Sequence, residues 1–180
     1  MRPSSAKAKG RRLQVELAEA LSVRLGLTIE ATPPTKPGVR EASGAVYVPV
    51  HSFPDLRVKR MGEAGADVEL LTPKAASYTK LDGHPIWWEC KNVERGADFN
   101  AAFWRSGRLP LLDTAFEQAD ASRPPQSTVA VVFSRNHYPI LVAWRARELH
   151  TSVPHAVLQS GDHLVVVATL MGFMEHAFGK

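Results

Sequence analysis

The sequence predicts an α/β or α+β sandwich, a mixed central β-sheet with helices covering its faces. Three observations predict it. Apolar residues recur at helical spacing in two stretches, Leu13, Leu17, Ala20, Leu21 and Leu25 near the start, and Leu112, Ala115, Phe116 and Ala119 further on. Short apolar runs with strand character follow the first stretch and bracket the second. One of these, Val129-Ala130-Val131-Val132-Phe133, is apolar at every position, as expected for a strand buried on both faces. A doubly wound nucleotide-binding fold is not expected, because no G-x-G-x-x-G follows a strand and no G-x-x-x-x-G-K-[ST] is present.

Each element has its own warrant. Ser4 or Ser5 can cap a first helix running to about Leu25, and Gly26 suits the residue just past its end. Residues 31–44 read as loop, punctuated by Pro33, Pro34, Pro37, Gly38 and Gly44; they make either a flexible loop over a nucleic-acid groove or an ordinary surface linker. Residues 45–50 suggest a short strand, on a sheet edge because Pro49 lacks an N–H. The alternation over 55–60 fits a half-exposed strand with a basic face. Two central strands are expected near 65–71 and 86–92, a hairpin with a long polar connection that carries the turn signal Asp82-Gly83. Residues 93–100 are turn-rich. A helix is expected over about 109–121, preceded by Trp104, which either packs or wedges against DNA. A Pro-rich loop at 122–127 leads into the strand 128–134. Asn136-His137 then turns the chain into a partner strand, 138–144. Residues 145–157 read as a helical or irregular excursion, 164–170 as a last strand after the Gly161-Asp162 turn, and 173–178 as a short amphipathic end piece.

Length and composition bound the rest. The 180 residues fit a single domain, 1–180, and 44% hydrophobic residues can supply a substantial core. No apolar run reaches the ~18 residues that a membrane span needs. The N-terminus has no apolar segment of the kind a secretory signal carries. One cysteine, Cys90, permits no internal disulfide and fits a reducing cytoplasm, in a bacterial, archaeal or phage-infected cell. With one cysteine and seven scattered histidines, a structural zinc site is not expected. The net charge is +4, and Arg2, Lys7, Lys9, Arg11 and Arg12 all precede the first acid, Glu16. Residues 1–12 thus form a basic arm whose Lys7, Lys9, Arg11 and Arg12 suit a polyanion such as DNA, or else a solvated terminus.

The chemistry concentrates at Gly65-Ala66-Asp67-Val68-Glu69-Leu70-Leu71 and Ile86-Trp87-Trp88-Glu89-Cys90-Lys91-Asn92. If these are neighbouring strands, Asp67 and Glu89 come close enough to hold a divalent cation through hard oxygens. Lys91, two residues after Glu89, shares its strand face and can orient a water or steady charge on a phosphate. Cys90 points the other way, toward the core, and reads as packing. The structural alternative is a carboxylate–lysine ion pair at the edge of a sheet. Glu16 borders the apolar stripe of the first helix and is either a third acid at the site or an exposed helix glutamate.

This spaced set resembles the PD-(D/E)xK nuclease superfamily. A helix carrying Glu16 comes first, Asp67 lies on one strand, and Glu89-Cys90-Lys91 is the acid-x-Lys of the next. A following helix carries Glu117-Gln118-Ala119, and two apolar strands complete the sheet. The resemblance covers roughly 4–144 and extends to small phage or archaeal nucleases of the Holliday-junction-resolvase-like branch, in which a Ser/Lys-rich start leads into a glutamate-bearing helix. Ala66 stands where the family's proline precedes the first acid, and about twenty residues separate the two acids.

The resemblance implies a restriction-endonuclease-like core and a metal-dependent DNA endonuclease. Asp67, Glu89 and the Cys90 carbonyl would bind Mg²⁺ or Mn²⁺, and Lys91 would position the attacking water. Glu16 would hold a metal-bound water or a second ion, and Gln118 would orient Lys91 or the phosphate. Branched DNA implies a homodimer, because two symmetry-related strands must be cut. The basic start fits equally well a non-catalytic nucleic-acid-binding or assembly module on the same fold.

Overall fold

The computed structural model describes residues 4–60, 62–93, 102, 106–134, 138–145 and 152–179, and for 4–9 the backbone alone. Helix α1 (Ser4–Leu25) opens the chain. Strands β1 (Thr28–Glu30), β2 (Gly38–Val39), β3 (Val46–Val48), β4 (Leu56–Val58) and β5 (Val68–Leu70) follow. Then come α2 (Pro73–Tyr78), β6 (Lys80–Leu81), β7 (His84–Asn92), α3 (Pro110–Ser122), β8 (Thr128–Ser134), β9 (Leu141–Trp144), β10 (His155–Ser160), β11 (His163–Thr169) and α4 (Leu170–Phe178).

The strands form one mixed sheet in the order β10-β11-β9-β8-β7-β5-β4-β1-β3-β2, with β6 paired to β7. Each face has its own core. On one face α1 and α4 cover Ile86, Trp88, Ala130, Val132 and Trp144. On the other α3 covers Val129, Val131, Phe133, Val165 and Val167. The alternation of β8 between the two cores is the period-two consequence of burial on both sides. Within the first core, Phe173 of α4 meets Trp88 and Trp144 edge-on, with ring centroids at 5.8 and 5.0 Å.

The pairings fix the polarity of the sheet. β1 runs parallel to β3 and β4, β5 is antiparallel to both β4 and β7, and β7 is parallel to β8. The carboxyl ends of β1, β3, β4, β7 and β8 therefore lie along one margin, where β5 begins. Loops at that margin are the usual ligand-binding position in open α/β sheets. α1 spans roughly 33 Å at 1.5 Å per residue, and its first buried residue among those described is Leu13. Arg11 and Arg12, just before it, are exposed.

Several expectations meet their elements. α3 buries Leu112, Ala115, Phe116 and Ala119, the predicted stripe. Gly26 adopts φ +63° at the end of α1, and the Leu27 N–H bonds the Ser22 carbonyl at 3.2 Å. Asp82 and Gly83, both at positive φ, make the two-residue turn between β6 and β7.

Others are corrected. β3 is not an edge strand: it lies between β1 and the two-residue β2, and Pro49 falls just beyond its end. The segment 145–157 is not simply an excursion, since β10 starts at His155 and pairs along β11. The 31–44 loop contains β2, and the polar connection after β5 contains α2, capped by the Thr72 hydroxyl and begun by Pro73. The short central β1 was not foreseen. Trp104, most of 93–100 and the Asn136-His137 turn lie outside the described residues. No helix among the described residues is long and apolar enough to cross a membrane.

Candidate active site

Asp67 immediately precedes β5, at the margin where its antiparallel neighbours β4 and β7 end. β5 and β7 share the pair Val68↔Trp88, and the Asp67 N–H donates to the Trp88 carbonyl at 2.8 Å. One step further the ladder gives way to a side chain: the Cys90 N–H donates to Asp67 Oδ2 at 2.6 Å. The carboxylate thus occupies the gap where the two strands separate. Its other oxygen, Oδ1, accepts from Gln14 Nε2 of α1 at 2.8 Å and lies 3.4 Å from Lys59 Nζ. Gly65, two residues before Asp67, takes a backbone conformation that favours glycine. It sits at φ +116°, and a Cβ there would meet Glu69 Oε1 at 2.7 Å, while Arg57 holds Glu69 at 2.6 Å.

Glu89 and Lys91 lie on the α3 face of β7, because Trp88 and Cys90 pack into the α1 face. Lys91 Nζ is 2.7 Å from Glu89 Oε1 and donates to Gln118 Oε1 of α3 at 2.5 Å. Cys90 packs against the α1-side core as expected. Burial pushes its thiol well above its ordinary range, reinforced by the negative charges of Asp67 and Glu89, so it stays a neutral thiol. Asp67 reaches the Cys90 N–H from the neighbouring strand, and Glu89 precedes Cys90 on β7.

Glu16 pairs with Arg12 at 2.6 Å within α1 and, like Asp67, lines a groove of about 1090 Å³. The groove runs between α1, the loop after β1 and the turn after β4. Its lining is balanced: Arg11, Arg12, Arg40, Lys59 and Arg60 face Glu16, Glu19, Glu30, Glu63 and Asp67. Arg40 ties the loop to Glu19 of α1, and the Tyr47 hydroxyl donates to the same carboxylate at 2.8 Å. Burial, then the Glu19 carboxylate, pushes the Tyr47 phenol up to about 12. Arg11 donates to the Lys59 carbonyl at 3.4 Å, so it too borders this margin. The side chains of Lys7 and Lys9 lie outside the described residues.

Among the expected residues, the structure joins Lys91 to Glu89 and Gln118, and sets Asp67 beside Cys90 from the neighbouring strand. Glu16 shares the groove with Asp67 but bonds Arg12. The side chains on Asp67 itself, Gln14 and Lys59, were missed. Neither carried a signal pointing to Asp67: Gln14 is one polar position of the first helix and Lys59 one cation of the basic stretch 55–60. Among the described residues, no group of three or more His, Cys, Asp or Glu side chains is placed to share an ion. The donor chemistry nonetheless fits a hard divalent cation. Two carboxylates and the carbonyl of Cys90 offer oxygens only, and water completes such shells. No family model, curated protein or solved structure matches the chain.

Proposed function

We propose that the protein is a metal-dependent endodeoxyribonuclease that hydrolyses DNA phosphodiesters. The observation that carries this reading is at the carboxyl margin of the sheet, where Asp67 lines the groove and bonds the Cys90 N–H, and where Glu89, Lys91 and Gln118 join on the α3 face of the same strand. The element order supports it too. A helix, an antiparallel run β4-β5-β7, a helix and the parallel strand β8 follow the order of the restriction-endonuclease-like core that the sequence resembles.

Asp67, Glu89 and the Cys90 carbonyl are the residues to hold Mg²⁺ or Mn²⁺, and such an ion supplies Lewis-acid stabilisation of phosphoryl charge. The remaining work belongs to side chains. An ammonium has three N–H donors, and two of those on Lys91 are directed by Glu89 and Gln118. The third can reach a phosphate oxygen or a water with its direction already fixed, which lowers the orientational cost of the step. Gln118 therefore positions Lys91. Glu16 stands in the groove to accept a hydrogen bond from water once Arg12 turns to a phosphate. Arg11 and Arg12, exposed on α1 ahead of Leu13, supply backbone-directed cations with no base specificity.

The second reading, a non-catalytic nucleic-acid-binding or assembly module, has its own observation: each carboxylate already sits beside a lysine, and the groove is charge-balanced. A panel of single-stranded, duplex, flap and four-way DNA with Mg²⁺, Mn²⁺ or EDTA separates the two. The nuclease reading expects cleavage that EDTA abolishes. The binding-module reading expects salt-sensitive retention with every strand intact. Preference for four-way DNA together with a dimeric mass supports the junction-resolving version; a monomer leaves only the simpler nuclease.

A further inference from the structure

Lys59 is the cation beside Asp67. It stands directly across from Asp67, its N–H donating to the Asp67 carbonyl at 3.0 Å. Its ammonium bonds the Gly65 carbonyl at 2.8 Å and lies 3.4 Å from Asp67 Oδ1, with only 19% of the side chain exposed. That separation is longer than the ~2.7–2.9 Å of a charge-assisted bond. Gly65 therefore anchors the ammonium, which acts on Asp67 chiefly as a nearby positive charge. The Cys90 N–H takes Oδ2 and the Gln14 amide takes one lone pair of Oδ1 at 2.8 Å, so an incoming cation meets Asp67 at the remaining lone pair of Oδ1, the oxygen that Lys59 flanks.

We propose that Lys59 is a built-in counter-cation for Asp67, competing with the divalent ion and setting how tightly it binds. This rests on the reading of Asp67 and Glu89 as the ion's ligands. A fixed unit charge a few ångströms from a dication opposes its binding at any plausible dielectric. Without an ion, the same ammonium balances a carboxylate that would otherwise be buried unpaired. The site is thereby kept neutral when empty and weak enough that metal loading depends on ion concentration.

The test is Mn²⁺ binding to the full chain, read from the EPR signal of the free ion, and the Mn²⁺-induced rise in melting temperature. Lys59→Gln removes the charge while keeping a donor for Gly65, and Lys59→Arg keeps the charge. The expected result is Mn²⁺ binding on the order of tenfold tighter in Lys59→Gln and near wild type in Lys59→Arg. Circular dichroism checks that both variants are folded. If Lys59→Gln fails to fold, the thermal shift of Lys59→Met replaces it. Equal or weaker binding by the charge-removing variant, or no binding by any form, overturns the proposal. Tighter binding without DNA cleavage keeps the role of Lys59 and ends the nuclease reading. Cleavage that requires metal and Asp67, with no change on removing the Lys59 charge, does the reverse.

Discussion

Asp55 and Asp67 sit at opposite margins of the same sheet and look alike by burial: 6% and 7% exposed, each with a lysine ammonium 3.4 Å away. Their surroundings differ. Asp55 precedes β4 at the amino margin and accepts from the Thr28 N–H at 3.0 Å, the Thr28 hydroxyl at 3.2 Å and the Thr72 hydroxyl at 2.6 Å. It ties the starts of β1 and α2 together, and Thr72 is also the cap of α2. Burial raises its carboxyl, but the bonds from Thr72 and Thr28 and the charge of Lys74 outweigh that and hold it below the usual range. Asp67 faces the large groove, takes one donor from the backbone, and neighbours a second carboxylate across Cys90. A buried aspartate with a lysine beside it is therefore not diagnostic of a site. What sets Asp67 apart is its margin of the sheet and its open side toward the groove.

The comparison can be broken most sharply with Asp55→Ala. It leaves the Thr28 and Thr72 donors without their acceptor and should cost about 2–4 kcal/mol of unfolding free energy, measured by urea titration, with cleavage unchanged below the melting transition. A loss of cleavage in folded Asp55→Ala would erase the distinction. On the groove side, Gln118→Ala should lower kcat roughly 10–100-fold with KM little changed, because it loosens Lys91 without removing it. A pure KM effect would make Gln118 a binding residue instead.

A pH series sharpens the Asp55 side. Its folded-state pKa is depressed, so its contribution is present above the unfolded value near 4 and is lost as pH falls through the folded value. Asp55→Asn should therefore show a shallower acid limb of stability below about pH 4 than wild type, in thermal melts from pH 2 to 7. An unchanged limb would mean that the bonds from Thr28 and Thr72 do not distinguish the charged from the neutral acid. The smallest effect is electrostatic. Arg11→Ala and Arg12→Ala should each reduce the slope of log binding constant against log salt by up to ~1, uniformly across DNA sequences. Unchanged slopes would place the DNA elsewhere.

Legibility in the sequence followed the physics of burial. α3, β8 and β7 were readable because an apolar stripe at period 3.6, an unbroken apolar run and the run Ile86-Trp87-Trp88 each record which faces are covered. β1 was not, because three residues carry no period, although Ile29 is fully buried at the centre of the parallel set. β10 hid for a related reason: it alternates as an edge strand with polar His155 and Gln159, and the sequence just before it shows no strand pattern. Within the site, Glu89-Cys90-Lys91 was readable because the spacing of two fixes a shared strand face. The Lys91–Gln118 contact followed from the resemblance. Gln14 and Lys59 were not readable, because their meeting with Asp67 depends on how α1 crosses the sheet and where β4 ends, and no local pattern encodes either.

The most direct measurement is cleavage of labelled DNA by Asp67→Asn and Glu89→Gln beside wild type, with Mg²⁺ and with EDTA, alongside melting curves and DNA binding. Asparagine keeps an oxygen for the Cys90 N–H, so Asp67→Asn should stay folded within about 1 kcal/mol of wild type. The account predicts Mg²⁺-dependent cleavage by wild type, a roughly thousandfold or greater loss in both variants from removed charge stabilisation, and DNA binding retained. Cleavage by both variants at the wild-type rate, or wild-type cleavage indifferent to EDTA, would contradict it.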